Sequence, residues 1–313
     1  MNSSANDSKC EVANKSLYMN YSWIIILELI LGLPLNFTAL YTFIFRLRFY
    51  KANKNMVFLF NLVLADFLLL TCLPLKVYQF QRGKRCSESL VLCKAMFFTQ
   101  FMNRGASIAF MTIITIDRYL SVVHPKKKNI LKVVKKSPKF SIIVWLLLPL
   151  LAIPAMINTL KCDEGNRPDD DITDILRETV FFTKILVPFF ILVFCTVRIV
   201  QRLQKKTVGE QAKLRRAVFA VTAVVVVYSI CFLPHAASRI VLLVERSSED
   251  PKDLETAAEV YEGIFSFSQI DCLLDTLVYC FYSSKFKNAY LSTFFPCFQT
   301  KYNKHNVNKI HLQ

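Results

Sequence analysis

Arg104 stands inside a long apolar run, Leu90–Val123, that closes on Asp117-Arg118-Tyr119. A guanidinium stays charged at any working pH, and its planar fork matches a carboxylate or phosphate with two parallel hydrogen bonds. If the run is helical, the fourteen residues from Arg104 to Arg118 span about 21 Å and four turns, which returns both to nearly one face. A fixed cation at that depth calls for an anion. The candidates are an internal acid, Asp271 or Glu262, or a ligand entering from outside, and ionisable groups within membrane spans mark functional sites. Lys76, Lys184 and Arg239 are further cations at the ends of apolar runs, with His235 one turn before Arg239; the lysines could instead extend their stems and carry their charge to the interface. Asp66 poses the opposite problem: a carboxylate in an apolar stretch is costly unless it is protonated and hydrogen-bonded or paired with a cation. No nucleophile, acid–base pair or metal-ligand spacing points to an enzyme.

The elements that would hold these groups follow from composition. The chain has 313 residues, 54% hydrophobic and 13% aromatic, with only 6 glycines. The apolar residues gather into runs long enough to cross a bilayer, which takes about 20 residues of helix. Seven such runs occur: Trp23–Phe45, Met56–Tyr78, Leu90–Val123, Phe140–Leu160, Val180–Val200, Ala217–Val244 and Ala257–Phe281. The net charge of +16 would suggest nucleic acid if it covered a soluble surface. It is concentrated in three connections: Arg46–Lys54, Lys126–Lys139 and Arg202–Arg216. All three fall on one side of the seven runs, which the positive-inside rule makes cytoplasmic. The opposite connections are acidic, from Asp163 to Asp174 and from Glu245 to Glu255. An odd number of crossings then leaves the N-terminus outside and the C-terminus inside.

Sequons at Asn2, Asn6, Asn14 and Asn20 lie on the side read as external and are expected to carry glycans, whereas Asn36 falls within the first run and is discounted. No cleavable leader precedes the first run, which is expected to act as an uncleaved anchor. Of the ten cysteines, Cys10, Cys86, Cys93 and Cys162 lie outside, where disulfides persist, and four cysteines admit three pairings. The expected organisation is an external tail over 1–22, a bundle over 23–283, an amphipathic membrane-surface helix over 284–297 with Cys297 placed for palmitoylation, and a cytoplasmic tail over 298–313.

Several strings then fall in order on these runs: Asn61…Ala65-Asp66, Asp117-Arg118-Tyr119, Trp145, Pro188, Cys231-Phe232-Leu233-Pro234 and Asp275-Thr276…Tyr279. Together they resemble the rhodopsin-like (class A) G-protein-coupled receptors over almost the whole chain. The resemblance implies an all-α membrane protein built as a seven-helix bundle in the plasma membrane. It also implies a disulfide from Cys93 to Cys162, which leaves Cys10 and Cys86 as a possible second pair. It implies an allosteric sodium ion near Asp66, Ser107 and Asp275 with Asn36 completing the network. The cytoplasmic switch it implies comprises Asp117, Arg118, Tyr119 and Tyr279, with Phe232 and Pro234 at the bend of the sixth helix, acting on a heterotrimeric G protein. Two departures stand out. Lys213, Leu214, Arg215 and Arg216 occupy the foot of the sixth helix, where an acid usually holds the arginine, and Thr276 replaces a proline, from which a straighter seventh helix is expected.

Met102-Asn103-Arg104-Gly105-Ala106-Ser107 and Tyr228…Pro234 further resemble the hydroxycarboxylic acid and oxoeicosanoid receptors. That group clamps a ligand carboxylate with the arginine matching Arg104 and couples mostly to inhibitory G proteins. The expected ligand is therefore a small anionic acid, with Lys76, Lys184, Arg239, Gln100 and His235 around it. Gln100 stands where amine receptors carry an aspartate, and the seventh run holds no lysine for a retinal Schiff base. A nucleotide receptor is the nearest alternative, because Arg239 and His235 look like the basic pair of purinergic receptors. Chemokine-type recognition fits the acidic outer loops but lacks a third-loop cysteine. A transporter or channel would be expected to show internal repeats, and none is found.

Overall fold

The computed structural model describes residues 11–48, 55–85, 89–124, 137–159, 171–204, 208–248 and 250–294. The described residues form helices α1 (Lys15–Tyr41), α2 (Asn55–Gln81), α3 (Leu90–Val123), α4 (Ser137–Thr159), α5 (Asp171–Gln204), α6 (Val208–Cys231), α7 (Leu233–Ser248), α8 (Pro251–Phe267), α9 (Asp271–Tyr282) and α10 (Ser284–Phe294). α6 and α7 are two halves of the sixth crossing, and α8 and α9 two halves of the seventh. Six of the seven expected crossings have described stretches long and apolar enough to span a bilayer. The other, α4, is described as apolar over Lys139–Ile153.

Burial is inverted relative to a soluble protein. On α1, Trp23, Ile30 and Phe37 are exposed, whereas Glu28, Gly32 and Asn36 are buried. Hydrocarbon around the bundle accepts the apolar face, and the polar groups find partners only inside. The helices close into a ring: α1 packs on α2 and α9, α3 lies against α2, α4 and α5, and α6 touches α5 and α9. α3 therefore runs through the middle of the bundle, which is why its side chains dominate the interior. Trp145 of α4 donates to Asn61 Oδ1 of α2 at 2.8 Å and fixes those two helices.

Several helices outrun their apolar cores. α1 begins at Lys15, eight residues ahead of Trp23, with the Asn14 side chain accepting Leu17 N–H at 3.2 Å as its cap. α5 begins at Asp171 instead of Val180, and α8 begins at Pro251, capped by Asp250. Hydropathy sees only the part that sits in lipid, whereas a capped helix continues into water. Asn14 and Asn20 are consequently a cap and an exposed helical residue, not loop positions; Asn2 and Asn6 lie outside the described residues. Ahead of α1, Val12 N–H donates to Gly83 O at 3.0 Å and Glu11 bridges to Lys84, joining the N-terminal segment to the turn after α2. Gly83 has a φ of 68°, the left-handed region that glycine enters freely.

The sixth crossing breaks at Phe232, next to Pro234, which has no N–H to donate and so interrupts the helix. With threonine in place of proline, α9 runs unbroken through Thr276. The seventh crossing is interrupted one and a half turns earlier, by a 3₁₀ turn, Ser268–Ile270. Ser268 Oγ donates back to Phe265 O at 2.7 Å, and serine back-bonding of this kind bends helices. α10 is held by Phe286, which stacks on Phe43 at 4.7 Å, and by Tyr290, whose hydroxyl lies 3.0 Å from Thr38 Oγ1. Its described part ends at Phe294, three residues short of the 284–297 expected, and Cys297 lies outside the described residues.

Candidate functional site

The interior of the half of the bundle that holds the N-terminal ends of α1 and α3 is built around Arg104. Its Nη1 lies 2.9 Å from His235 Nδ1 on α7, and its Nη2 donates to Ser268 Oγ on the seventh crossing. Its guanidinium also sits 4.8 Å from the Phe265 ring and 5.6 Å from that of Phe232. Arginine has no acceptor, so His235 accepts at Nδ1 and carries its hydrogen on Nε2, which donates to Tyr261 OH at 3.1 Å. Every partner of Arg104 is neutral. Among the described residues no carboxylate reaches ion-pair distance of it. Glu262 pairs with Lys76 at 3.2 Å, and Asp271 Oδ1 accepts the Cys272 backbone N–H at 2.8 Å.

The other cations divide. Arg239 Nε donates to Glu178 Oε2 of α5 at 3.0 Å. The His235–Arg239 pair is thereby split, one member serving Arg104 and the other an internal acid. Lys76 is held by Glu262. Among the described residues no acid pairs with Lys184; its ammonium lies 3.7 Å over the Phe101 ring of α3. The interior thus presents two cations matched by acids and two matched only by neutral groups.

Above Arg104 lies a cavity of about 180 Å³ whose walls include Lys76, Gln100, Cys93, Tyr261, Glu262 and Phe265. Arg104 is absent from its lining, and Phe265 contacts both the cavity and the guanidinium. Cys93 at its edge is a free thiol among the described residues; Cys162, Cys10 and Cys86 lie outside them. Sequence reasoning named Arg104, Lys76, Lys184, Arg239, Gln100 and His235. It missed Phe265, Tyr261, Ser268 and Glu178, which are ordinary residue types with no pattern to set them apart.

Beside the same stretch of α3, Asp66 of α2 faces α3 and α9. Its Oδ1 lies 3.4 Å from Asn103 Nδ2 and 3.5 Å from Ser107 Oγ, and its Oδ2 accepts Tyr279 OH at 2.9 Å. Asp275 is fully buried with neither oxygen hydrogen-bonded. Asn36 Nδ2 donates to Cys272 O at 2.9 Å, and its Oδ1 is left over. The four residues expected around the ion are therefore brought to one region, and Asn103 joins them.

At the C-terminal end of α3 Arg118 lies 3.9 Å over the Tyr282 ring, while Tyr282 OH donates to Asp117 Oδ2 at 3.1 Å. One tyrosine from α9 thus holds both charged members of the motif, where an acid from the sixth helix was the partner in doubt. Tyr119 OH contacts His124 Nε2 at 3.1 Å.

Comparison with known proteins agrees with this arrangement. Residues 35–279 match the family described as 7 transmembrane receptor (rhodopsin family). The chain is 33% identical over 277 residues to the human 12-(S)-hydroxy-5,8,10,14-eicosatetraenoic acid receptor, covering 86% of each. It is 31% identical over 283 residues to human hydroxycarboxylic acid receptor 3, covering 88% of this chain and 73% of that one. To human oxoeicosanoid receptor 1 it is 29% identical over 269 residues, covering 84% and 69%.

Proposed function

Because the chain belongs to the rhodopsin family of seven-transmembrane receptors, in the group of hydroxycarboxylic acid and eicosanoid receptors, we propose that an extracellular carboxylate bound at Arg104 activates it and that it signals to a heterotrimeric G protein of the inhibitory class. The observation that carries this reading is a buried guanidinium with only neutral partners. An incoming carboxylate replaces the serine and histidine contacts with a two-pronged pair in which donor and acceptor are both charged. The relatives named for hydroxy acids and an eicosanoid acid share the required headgroup. Ligand pockets commonly enclose about 300–1,000 Å³, so the 180 Å³ cavity suits a small acid or the head of a longer one. Phe265 must swing aside for either to touch Arg104. The Phe265 and Phe232 rings both lie against the guanidinium, so Arg104 links the site to the bend of the sixth crossing.

Orientation follows the basic connections, with the N-terminus outside and Asp117-Arg118-Tyr119 toward the G protein. The inhibitory class rests on the resemblance alone. A sodium ion fits the Asp66 region, because Ser107 and the unpartnered oxygens of Asp275 complete an all-oxygen donor set, the set that hard cations take. Bound there, it supplies a positive charge that Asp66 and Asp275 otherwise lack. A nucleotide ligand is disfavoured by the commitment of Arg239 to Glu178.

The test is a panel of short and long-chain carboxylic acids and of nucleotides, read by G-protein nucleotide exchange in membranes. Wild type should respond to acids, with potency lost at least a hundredfold in Arg104→Ala and little changed in Arg239→Ala. Acids acting equally on wild type and Arg104→Ala would refute the anchoring role, and nucleotide responses dependent on Arg239 would favour the alternative.

A further inference from the structure

We infer that the acid bound by this receptor carries two carboxylates, one taken by Arg104 and the other by the ammonium of Lys184, so that the ligand class is a short dicarboxylic acid. The inference rests on the carboxylate reading and narrows it. Lys184 stands on α5, one turn before Pro188. Its ammonium meets the face of Phe101 on α3 at 3.7 Å, and it forms no ion pair within the described residues. The one charged group whose field acts on it is Arg104, a charge of the same sign. Arg104 is itself held by His235 and Ser268, both neutral. Two cations thus face each other inside the bundle, and neither has an acid.

Contacts from both helices place the two cations beside one space. On α3, Phe101 comes three residues before Arg104, and side chains at that interval are neighbours, about 5–6 Å apart at Cβ. On α5, Phe181 comes three residues before Lys184, and its ring meets that of His235 at 5.2 Å. His235 in turn reaches Arg104 at 2.9 Å. Phe101 therefore borders the space on one side and Phe181 with His235 on the other, and the charges of Lys184 and Arg104 both act on His235. The two cations are separated by about one helical turn, which a chain of a few carbons can bridge. A monocarboxylate on Arg104 would cancel one charge and leave the ammonium unmatched. A terminal hydroxyl would offer Lys184 an acceptor without a charge, whereas a second carboxylate supplies both. The residue types suit the two ends: the planar fork of arginine fixes the first carboxylate, and the flexible stem of lysine lets its charge follow the second. Lys76 and Arg239 do not compete, since Glu262 and Glu178 hold them.

The experiment uses the full-length receptor in lipid nanodiscs with purified G protein and reads nucleotide exchange. The probes are butanoate, pentanoate and hexanoate, each as the monoacid, the terminal hydroxy acid and the diacid. On wild type the best diacid should act at concentrations at least about tenfold below those of its monoacid. Lys184→Met keeps the length of the side chain and removes its charge, and it should bring diacid and monoacid to similar potency. A second measure needs no G protein: the diacid should raise the unfolding temperature of wild type more than the monoacid does, and Lys184→Met should erase that difference. Equal potency of diacid and monoacid on wild type overturns the proposal without any variant, which covers the case in which Lys184→Met does not fold. A terminal hydroxy acid that matches the diacid also overturns it, as does a diacid preference that survives in Lys184→Met. No response to any acid, or a response that persists in Arg104→Ala, defeats the carboxylate reading itself. A response that depends on Arg104 but shows no preference for diacids leaves that reading standing and removes only the second carboxylate.

Discussion

Tyr282 offers the sharpest test of how this receptor is kept quiet. Its hydroxyl donates to Asp117 at 3.1 Å, and its ring lies 3.9 Å beneath Arg118. Tyr282→Phe removes the first contact and keeps the second. A hydrogen bond to a charged group contributes about 1.5–3 kcal/mol. Asp117 has other interactions, so the lower end applies. At about 1.4 kcal/mol per tenfold, about 1.5 kcal/mol multiplies the ratio of active to resting receptor roughly tenfold, provided the contact exists only at rest. Tyr282→Leu also removes the ring, which adds about 0.5–2 kcal/mol from the cation–π contact, and so should exceed the phenylalanine variant. The assay is ligand-free guanine-nucleotide exchange on purified G protein, normalised to receptor in the membrane. Basal exchange rising about tenfold in Tyr282→Phe and further in Tyr282→Leu is the expected result. If both variants match wild type, or fall below it, the tyrosine does not hold the resting state and the reasoning fails.

Two other perturbations probe the outer half. Glu178→Gln removes the negative charge and one of the two oxygens that accept from Arg239 and should lower the unfolding temperature, while Glu178→Gln combined with Arg239→Gln should recover most of that loss; strictly additive losses would mean that the pair is not coupled. Phe265→Leu removes the ring over Arg104 and enlarges the cavity. It should raise the potency of longer acids several-fold over shorter ones, read as nucleotide exchange, and an unchanged ranking would show that Phe265 is no barrier.

The parts of this molecule legible from residue order are those where lipid makes a choice costly. A bilayer demands apolar runs, so the seven crossings stand out, and it penalises stray charge, so Arg104, Asp66 and Lys184 stand out within them. The crossing ends do not, because α1, α5 and α8 continue into water on caps such as Asn14 and Asp250. Phe265, Tyr261 and Ser268 are common in any bundle, and only their convergence on one guanidinium gives them significance. Glu178 sat just beyond the apolar boundary assigned to the fifth crossing, where an acid costs little and draws no notice. Glu28 was different: an acid in the first apolar run is as unusual as Asp66, but it belongs to none of the motifs that directed attention elsewhere. Thr276 pointed to a straighter helix at its own position, where α9 is unbroken; the interruption lies earlier, at Ser268, whose hydroxyl turns back on its own backbone.

That 3₁₀ turn is one hydrogen-bonded step long and has work at both ends. Its first residue, Ser268, grips Arg104, and Asp271 follows directly after Ile270, four residues before Asp275. Whatever loosens the grip on the arginine is therefore felt at the start of the helix that carries Asp275. If the sodium ion proposed beside Asp66 and Asp275 is bound, linkage works equally in both directions: the factor by which sodium weakens an agonist has to equal the factor by which that agonist expels sodium. Two unrelated titrations of one short turn should return the same number.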